Sequence, residues 1–111
     1  MKKETRKTIF NKFGGRCAYC GTEINFDKFQ IDHFIPKMKG GNDDLDNLMP
    51  SCTECNRYKA TLNIEIFREW LEKSKKQLLR TQNLRILHRI GGFCISKKPV
   101  RFYYEKFFNN K

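Results

Sequence analysis

The stretch of sequence that decides the fold begins with Cys17-Ala18-Tyr19-Cys20 and ends with Cys52-Thr53-Glu54-Cys55. Two cysteines separated by two residues can hold one side of a tetrahedral Zn²⁺, and a second such pair completes a four-thiolate site. A simple zinc ribbon separates its two pairs by about 15–20 residues. Residues 21–51 exceed that spacing, and they carry Asp32-His33 and Asn47, which a structural zinc site does not require. The pattern therefore predicts a structural metal site beside a second, reactive site.

The number of cysteines argues against a disulfide framework, because the chain has five of them. Cys94 lies between Phe93 and Ile95, and we expect it to be buried as a small apolar residue. A redox role for the CxxC pairs is not expected, since neither pair opens a βαβ unit. No apolar stretch follows Lys2-Lys3, so the sequence predicts neither a secretory signal nor a membrane span. These observations favour a reducing, cytoplasmic location.

Length and charge narrow the class of protein further. A chain of 111 residues suits one domain, residues 1–111, and a small core of this size gains from a metal staple. The formal net charge is +11. Residues 1–20 and 57–111 are net positive, whereas residues 21–56 are net negative. Basic flanks around an acidic middle favour a protein that binds a phosphate backbone and a cation, although solvated basic helices would give the same composition.

The first half of the chain predicts an α+β arrangement. The expected elements are an N-terminal helix over about 4–13, a strand over 29–36 that ends at Pro36, a loop over 37–46, a return strand over 48–51 and a short helix over 53–60. Along the first strand, Asp32 and His33 should face opposite sides unless a bulge or bend redirects one of them.

The second half predicts a basic helical extension over 62–111. Asn63 is a plausible N-cap for a helix that reaches about Arg80, and a second helix should cover 84–90. The apolar face of the first helix is expected in the core: Ile66, Phe67, Trp70 and Leu71. The alternating apolar residues of 99–107 predict a final strand.

Taken together and in order, the motifs resemble the HNH nuclease domain. The residues that carry this resemblance cover about 14–61: Cys17-x-x-Cys20, Ile31-Asp32-His33-Phe34-Ile35-Pro36, Gly40-Gly41, Asn47-Leu48 and Cys52-x-x-Cys55-Asn56-Arg57-x-Lys59. A single CxxC pair or an Asp-His dipeptide is a weak signal, but the ordered combination is specific. The resemblance implies a ββα-metal core, stapled by a Cys₄ zinc site and flanked by helices and a C-terminal strand.

The resemblance also implies a role for each residue of the motif. Cys17, Cys20, Cys52 and Cys55 would hold structural Zn²⁺. His33 would be the general base that takes a proton from the attacking water, and Asn47 would brace the loop or orient the His33 imidazole. Asp32 and Asn56 would hold the catalytic cation, Asn56 standing where the family name has its final histidine.

The chemistry of phosphodiester cleavage is consistent with those roles. A divalent cation stabilises the negative charge that develops on the phosphate and the leaving oxygen, and a neutral imidazole can accept a proton near pH 7. Oxygen ligands from Asp32 and Asn56 form a hard set, which favours Mg²⁺ or Mn²⁺ over zinc. The expected products carry 5′-phosphate and 3′-hydroxyl ends, as the resemblance suggests.

Two classes of function remain open at this stage. The first is a small metal-dependent DNA endonuclease of phage, mobile-element or restriction type, in which Arg16, Arg57 and Lys59 contact nucleic acid. For Arg57 and Lys59, solvated helix charges are the plainer interpretation. The second is a catalytically idle, zinc-stapled basic module that binds DNA or a protein. The sequence favours the enzyme, because Asp32, His33 and Asn56 are all present although folding around zinc requires none of them. Target specificity could come from a homodimer or from a partner protein.

Overall fold

A computed structural model of the chain describes the backbone of residues 2–108 and the side chains of residues 2–107. Met1 and residues 109–111, the two ends of the predicted domain 1–111, lie outside the described residues. The chain divides into two compact units. Unit 1 comprises the residues up to Ile64 and those from Arg101 onward, and unit 2 comprises Glu65–Val100. The extension predicted for 62–111 therefore has its ends in unit 1 and its middle in unit 2.

Unit 1 contains the predicted order of helix, strand, strand and helix. The bounds are α1 Lys3–Phe10, β1 Gln30–His33, β2 Leu48–Ser51 and α2 Thr53–Lys59. The strands form a two-stranded antiparallel sheet in which Asp32 is opposite Met49 and His33 is opposite Leu48. Helix α2 follows β2 after Cys52 and contacts β1. This hairpin and helix confirm the predicted ββα core.

The core of unit 1 lies between the N-terminal helix and the hairpin. Ile9, Phe29 and Leu48 are buried together, and partly buried apolar residues pack around them. Gly14 stops the helical segment in a left-handed conformation with a φ of 65°, which an L side chain rarely adopts. The Arg6 guanidinium donates to the carbonyl oxygens of Phe26 and Phe29, both at 2.9 Å. The N-terminal helix is thus tied to the segment that leads into β1.

Unit 2 is helical. It contains most of α3, Ile64–Leu78, and all of α4, Gln82–Arg89. Phe67 is buried as predicted, but Trp70 is 44% exposed, so its predicted place in the core is wrong. Cys94 is also exposed rather than buried. Within this unit Glu72 accepts a hydrogen bond from the Val100 backbone N–H and pairs with Lys75 at 3.1 Å.

The strand predicted for 99–107 is absent from the described residues, and this part of the prediction is wrong. Residues 103–104 form a turn and α5, Glu105–Phe108, is a short helix. The backbone N–H groups of Tyr103 and Tyr104 donate to the carbonyl oxygens of Tyr19 and Ala18, at 3.0 and 2.7 Å. The segment therefore bonds to the turn between the first two cysteines and does not extend as a strand. None of the helices within residues 2–108 has the length and apolar content needed to cross a bilayer.

Candidate active site

The four paired cysteines converge on one point in unit 1. Their Sγ atoms all lie within 4.8 Å of one another, and those of Cys20 and Cys52 are 3.8 Å apart. With Zn–S bonds of about 2.3 Å, neighbouring sulfurs of a tetrahedral site are about 3.8 Å apart. The four thiols therefore fit a tetrahedral ion such as zinc, and we call this group the cysteine cage.

Local backbone bonds shape the cysteine cage before any ion binds. The Tyr19 N–H donates to Cys17 Sγ at 3.4 Å, and the Cys55 N–H donates to Cys52 Sγ at 3.3 Å. The Ala18 N–H donates to the Pro50 carbonyl at 2.8 Å, which joins the first turn to β2. The bond between Ala18 and Pro50 brings the two pairs together although they are far apart in the sequence.

The thiols of the cage are electrostatically unequal without an ion. A hydrogen bond from Cys55 lowers the pKa of Cys17 to about 4, and the same contact together with burial raises the pKa of Cys55. Burial raises the pKa of Cys20 to about 11. Four thiolates close together repel one another, so full deprotonation requires a bound cation.

Asp32 is buried and carries two strong contacts on one oxygen. The Tyr19 hydroxyl donates to Asp32 Oδ2 at 2.5 Å, and Lys59 Nζ lies 3.0 Å from the same oxygen. Burial, and then the nearby Asp32 carboxylate, raise the pKa of Tyr19, so its hydroxyl keeps the proton that it donates. Asp32 Oδ1 has no hydrogen-bond partner within residues 2–107, and it is not completely enclosed, because every completely enclosed side-chain oxygen or nitrogen there has a partner.

Lys59 lies in the interior and not on the surface. Its side chain is 0% exposed, and Nζ also donates to the His33 carbonyl at 3.1 Å. The predicted phosphate contact of Lys59 is therefore wrong, because its side chain is buried and its ammonium contacts Asp32 and the His33 carbonyl. An ion pair this deeply buried was not expected from a lysine in the last turn of a short helix.

His33 ends β1 with its imidazole partly exposed. Its Nε2 atom lies 2.7 Å from Asp43 Oδ1, while Asp43 Oδ2 lies 2.8 Å from Lys37 Nζ. The hydrogen bonds from Lys37 and then from His33 lower the pKa of Asp43. Asp43 was not among the predicted site residues, because an acidic residue in a glycine-rich loop gives no signal that the loop folds back onto the strand.

Asn47 braces the loop between β1 and β2. Its Oδ1 accepts from the Ile35 N–H at 2.8 Å, and its Nδ2 donates to the carbonyls of Ile35 and Asn42 at 3.1 and 2.8 Å. Gly41 lies beneath this brace, and a Cβ atom there would be 1.7 Å from the Ile35 carbonyl oxygen. These bonds account for the predicted role of Asn47 in bracing the loop. The Asn47 side chain makes no hydrogen bond to the His33 ring within the described part of the chain.

Asn56 lies three residues before Lys59 on α2. Residues three apart share a helix face, so the face of α2 that sends Lys59 to Asp32 also carries Asn56. Its side-chain amide has no hydrogen bond within residues 2–107. A carboxylate oxygen and an amide oxygen, both unpaired, suit Mg²⁺, which takes few protein ligands and keeps waters for the rest. The donor set thus fits a hard cation.

The two arginines predicted to contact nucleic acid differ in their surroundings. Arg16 donates to the Gly21 carbonyl at 2.9 Å and pairs with Glu23 at 3.4 Å, so it supports the turn of the first cysteine pair. Arg57 is exposed on α2.

Comparisons with known proteins agree with this geometry. The sequence pattern of the HNH endonuclease family matches residues 17–61. This stretch contains the cage, the hairpin and α2. Residues 17–61 form an HNH endonuclease domain.

Relatives of the HNH domain include large enzymes and a prophage protein. The CRISPR-associated endonuclease Cas9 of Actinomyces naeslundii is 38% identical over 61 residues, which is 54% of this chain and 5% of that protein. The SPbeta prophage-derived putative HNH endonuclease YoqL of Bacillus subtilis is 30% identical over 95 residues, 73% of this chain and 37% of that protein. The chain thus spans a small part of each relative.

A solved structure supports the same assignment. The crystal structure of the Type II-C Cas9 enzyme from Actinomyces naeslundii matches with a TM-score of 0.55 and 31% identity, over 60% of this chain and 8% of that one. The match covers the greater part of this chain and agrees with the fold assigned above.

Proposed function

We propose that this protein is a metal-dependent endonuclease that hydrolyses phosphodiester bonds of DNA, with His33 as the general base. One observation carries the proposal: Asp32 and His33 end the strand against which α2 packs, and Asn56 lies on α2 three residues before Lys59, the residue that contacts Asp32. The HNH domain and its relatives named as endonucleases support the reaction class. Structural zinc would occupy the cysteine cage, and Asp32 Oδ1 with the Asn56 amide would hold Mg²⁺ or Mn²⁺.

The contact with Asp43 determines which nitrogen of His33 acts as the base. An ionised carboxylate can only accept a hydrogen bond, so Nε2 carries the hydrogen in this contact. A neutral imidazole then has its unshared pair on Nδ1, which has no partner within the described residues. The proposed base is therefore Nδ1, and Asp43 fixes the ring's tautomer and orientation.

The reaction is a direct attack by water on phosphorus. His33 takes a proton from the water, a new P–O bond forms, and the bond from phosphorus to the 3′-oxygen breaks. The leaving oxygen takes a proton from solvent, so the ends are a 5′-phosphate and a 3′-hydroxyl. A hard divalent cation, when bound, supplies positive charge for the phosphate and the leaving oxygen. The Asn47 brace holds the loop that carries Asp43 opposite His33.

The charge of the chain supports a polyanionic substrate. The formal net charge is +11, and the basic residues include exposed Arg57 and half-exposed Arg16, the two proposed phosphate contacts. We propose that a second copy or a partner protein supplies target specificity. The prophage-derived relative supports a phage or mobile-element role.

One feature favours the alternative of an idle binding module. Asp32 already has an ionic partner in Lys59, and His33 already has a hydrogen-bond partner in Asp43, so both side chains have internal contacts without substrate. An idle module would retain DNA in a salt-dependent manner without cleaving it.

A plasmid assay separates the two functions. Supercoiled plasmid is incubated with the protein in Mg²⁺, in Mn²⁺ and in EDTA, and the wild type is compared with His33→Ala. The chain's other histidine, His88, provides the control His88→Ala. We expect cation-dependent nicking or cutting by the wild type and the control, and none by His33→Ala, with equal zinc content and DNA retention in all three. Cleavage by His33→Ala would exclude His33 as the base, and retention without any cleavage would establish the idle module.

A further inference from the structure

Tyr19, Asp32 and Lys59 form a buried polar cluster beside the cysteine cage. The three residues are 3%, 5% and 0% exposed. Both the Tyr19 hydroxyl and the Lys59 ammonium contact Asp32 Oδ2, at 2.5 and 3.0 Å. The Lys59 ammonium also lies 6.0 Å from the centre of the Tyr19 ring. We call this group the Asp32 cluster.

Stability alone is a poor explanation for the Asp32 cluster. Moving two charges out of water has a desolvation cost that their attraction only partly offsets, and apolar residues of similar volume are often as stable or more stable. The cluster is better explained by what it does to the carboxylate. The Tyr19 hydroxyl and the Lys59 ammonium occupy one oxygen, and the other oxygen, Oδ1, has no partner among the described side chains and is not completely enclosed.

We propose that Tyr19 and Lys59 are positioning residues that hold the Asp32 carboxylate so that Oδ1 is presented to a hard divalent cation. This inference rests on the proposed function, because it takes Asp32 as a ligand of that cation. A carboxylate that is already held loses little freedom when an ion binds. Partners of this kind typically contribute about 10–100-fold to metal affinity.

The cysteine cage makes Tyr19 a rigid partner. Its N–H donates to Cys17 Sγ at 3.4 Å, and its carbonyl accepts from the Tyr103 N–H at 3.0 Å. Its ring packs edge-on against Phe102, with 5.7 Å between the centroids. The position of the hydroxyl is therefore set by the loop of the first cysteine pair, and Asp32 is held by a fixed group.

The test measures cation binding and not cleavage. Full-length, zinc-loaded protein is titrated with Mn²⁺ in the absence of nucleic acid, and free Mn²⁺ is followed by electron paramagnetic resonance. The variants are Tyr19→Phe, Asp32→Asn and the control Tyr103→Phe, which removes a hydroxyl from another ring beside the same turn, against Gly21. Zinc content and melting temperature without Mn²⁺ are recorded for each protein.

We expect Tyr19→Phe to weaken Mn²⁺ binding by about 10–100-fold while Tyr103→Phe matches the wild type. A purely structural Tyr19 would lower the melting temperature and leave Mn²⁺ affinity unchanged, and that result overturns the inference. If Asp32→Asn binds Mn²⁺ as tightly as the wild type, the proposed cation site itself is wrong, and the inference fails with it. Should Tyr19→Phe release zinc, Lys59→Met takes its place, and wild-type affinity in that variant overturns the inference.

Discussion

Replacing Lys59 by Met is expected to lower the free energy of unfolding of unit 1 by about 3–5 kcal/mol. Methionine preserves most of the aliphatic stem, so the loss comes from the ammonium. Removing it leaves the Asp32 carboxylate, 5% exposed, with the Tyr19 hydroxyl as its remaining partner in the described residues. The His33 carbonyl also loses its donor at 3.1 Å. This loss of unfolding free energy is typical of removing one partner of a buried ion pair, which leaves the other charge uncompensated.

Calorimetry is the appropriate assay, because the single tryptophan, Trp70, lies in unit 2 and its fluorescence does not report unit 1 directly. In a domain of this size each kcal/mol shifts the melting temperature by about 4–8 °C, so a shift of more than about 10 °C is expected. The double variant Asp32→Leu with Lys59→Met replaces the pair by apolar groups, and it should recover much of the stability lost in the single variant.

Two results would contradict the reasoning about Lys59. The first is a melting temperature of Lys59→Met within a degree or two of the wild type, which would mean that the ammonium is solvated. The second is strict additivity of the two single substitutions, Asp32→Leu and Lys59→Met, in the double variant, because residues in direct contact should show a coupling free energy.

Three further predictions concern the cage, the loop and unit 2. Cys52→Ala should lose zinc and melt at a lower temperature, because a structural metal contributes folding free energy. The control Cys94→Ala, at an exposed cysteine outside the cage, should keep its zinc. Zinc retained by Cys52→Ala would refute the cage. Gly41→Ala places a Cβ 1.7 Å from the Ile35 carbonyl oxygen and should impair both stability and plasmid cleavage; wild-type values in both assays would contradict the described loop. Glu72→Gln should lower the melting temperature at pH 7. Hydrogen bonds from a backbone N–H and then a lysine lower the pKa of Glu72 below its ordinary 4.5. The stabilising effect of Glu72 is therefore present above pH 4.5 and disappears as the pH falls through the lowered pKa. A difference in melting temperature between variant and wild type that is as large at pH 3 as at pH 7 would refute this account.

Spacing in the sequence was enough to predict the cysteine cage and the ββα order. Two CxxC pairs leave few structural alternatives, and the turn signals around 29–36 and 48–51 place a hairpin between them. Strand alternation also predicted that Asp32 and His33 would face opposite sides of the strand; in the structure Asp32 is buried and His33 is partly exposed. The turns of the CxxC pairs, the strands and the short helix depend on residues close together in the chain, so the local sequence pattern predicts them.

The errors concern contacts between residues far apart in the chain. Lys59 is buried in an ion pair with Asp32, and Asp43 contacts His33 across the loop. Neither contact produces a periodic pattern in the sequence. Residues 99–107 have strand-like alternation, but their N–H groups bond to the turn of the first cysteine pair. Trp70 lies on an amphipathic helix, and the pattern identifies an apolar face without identifying what covers it.

The return of the chain at Tyr103 and Tyr104 has a practical consequence for anyone who truncates this protein. The family match ends at residue 61, yet two backbone hydrogen bonds to the first cysteine turn come from beyond residue 100. Residues 65–100 thus have the topology of an insert whose two attachment points belong to one folded body. A fragment cut to the matched region would forfeit those bonds, whereas exchanging the insert for a foreign module would preserve them. Residues 65–100 could therefore be exchanged without removing either attachment point from the unit that contains the HNH domain.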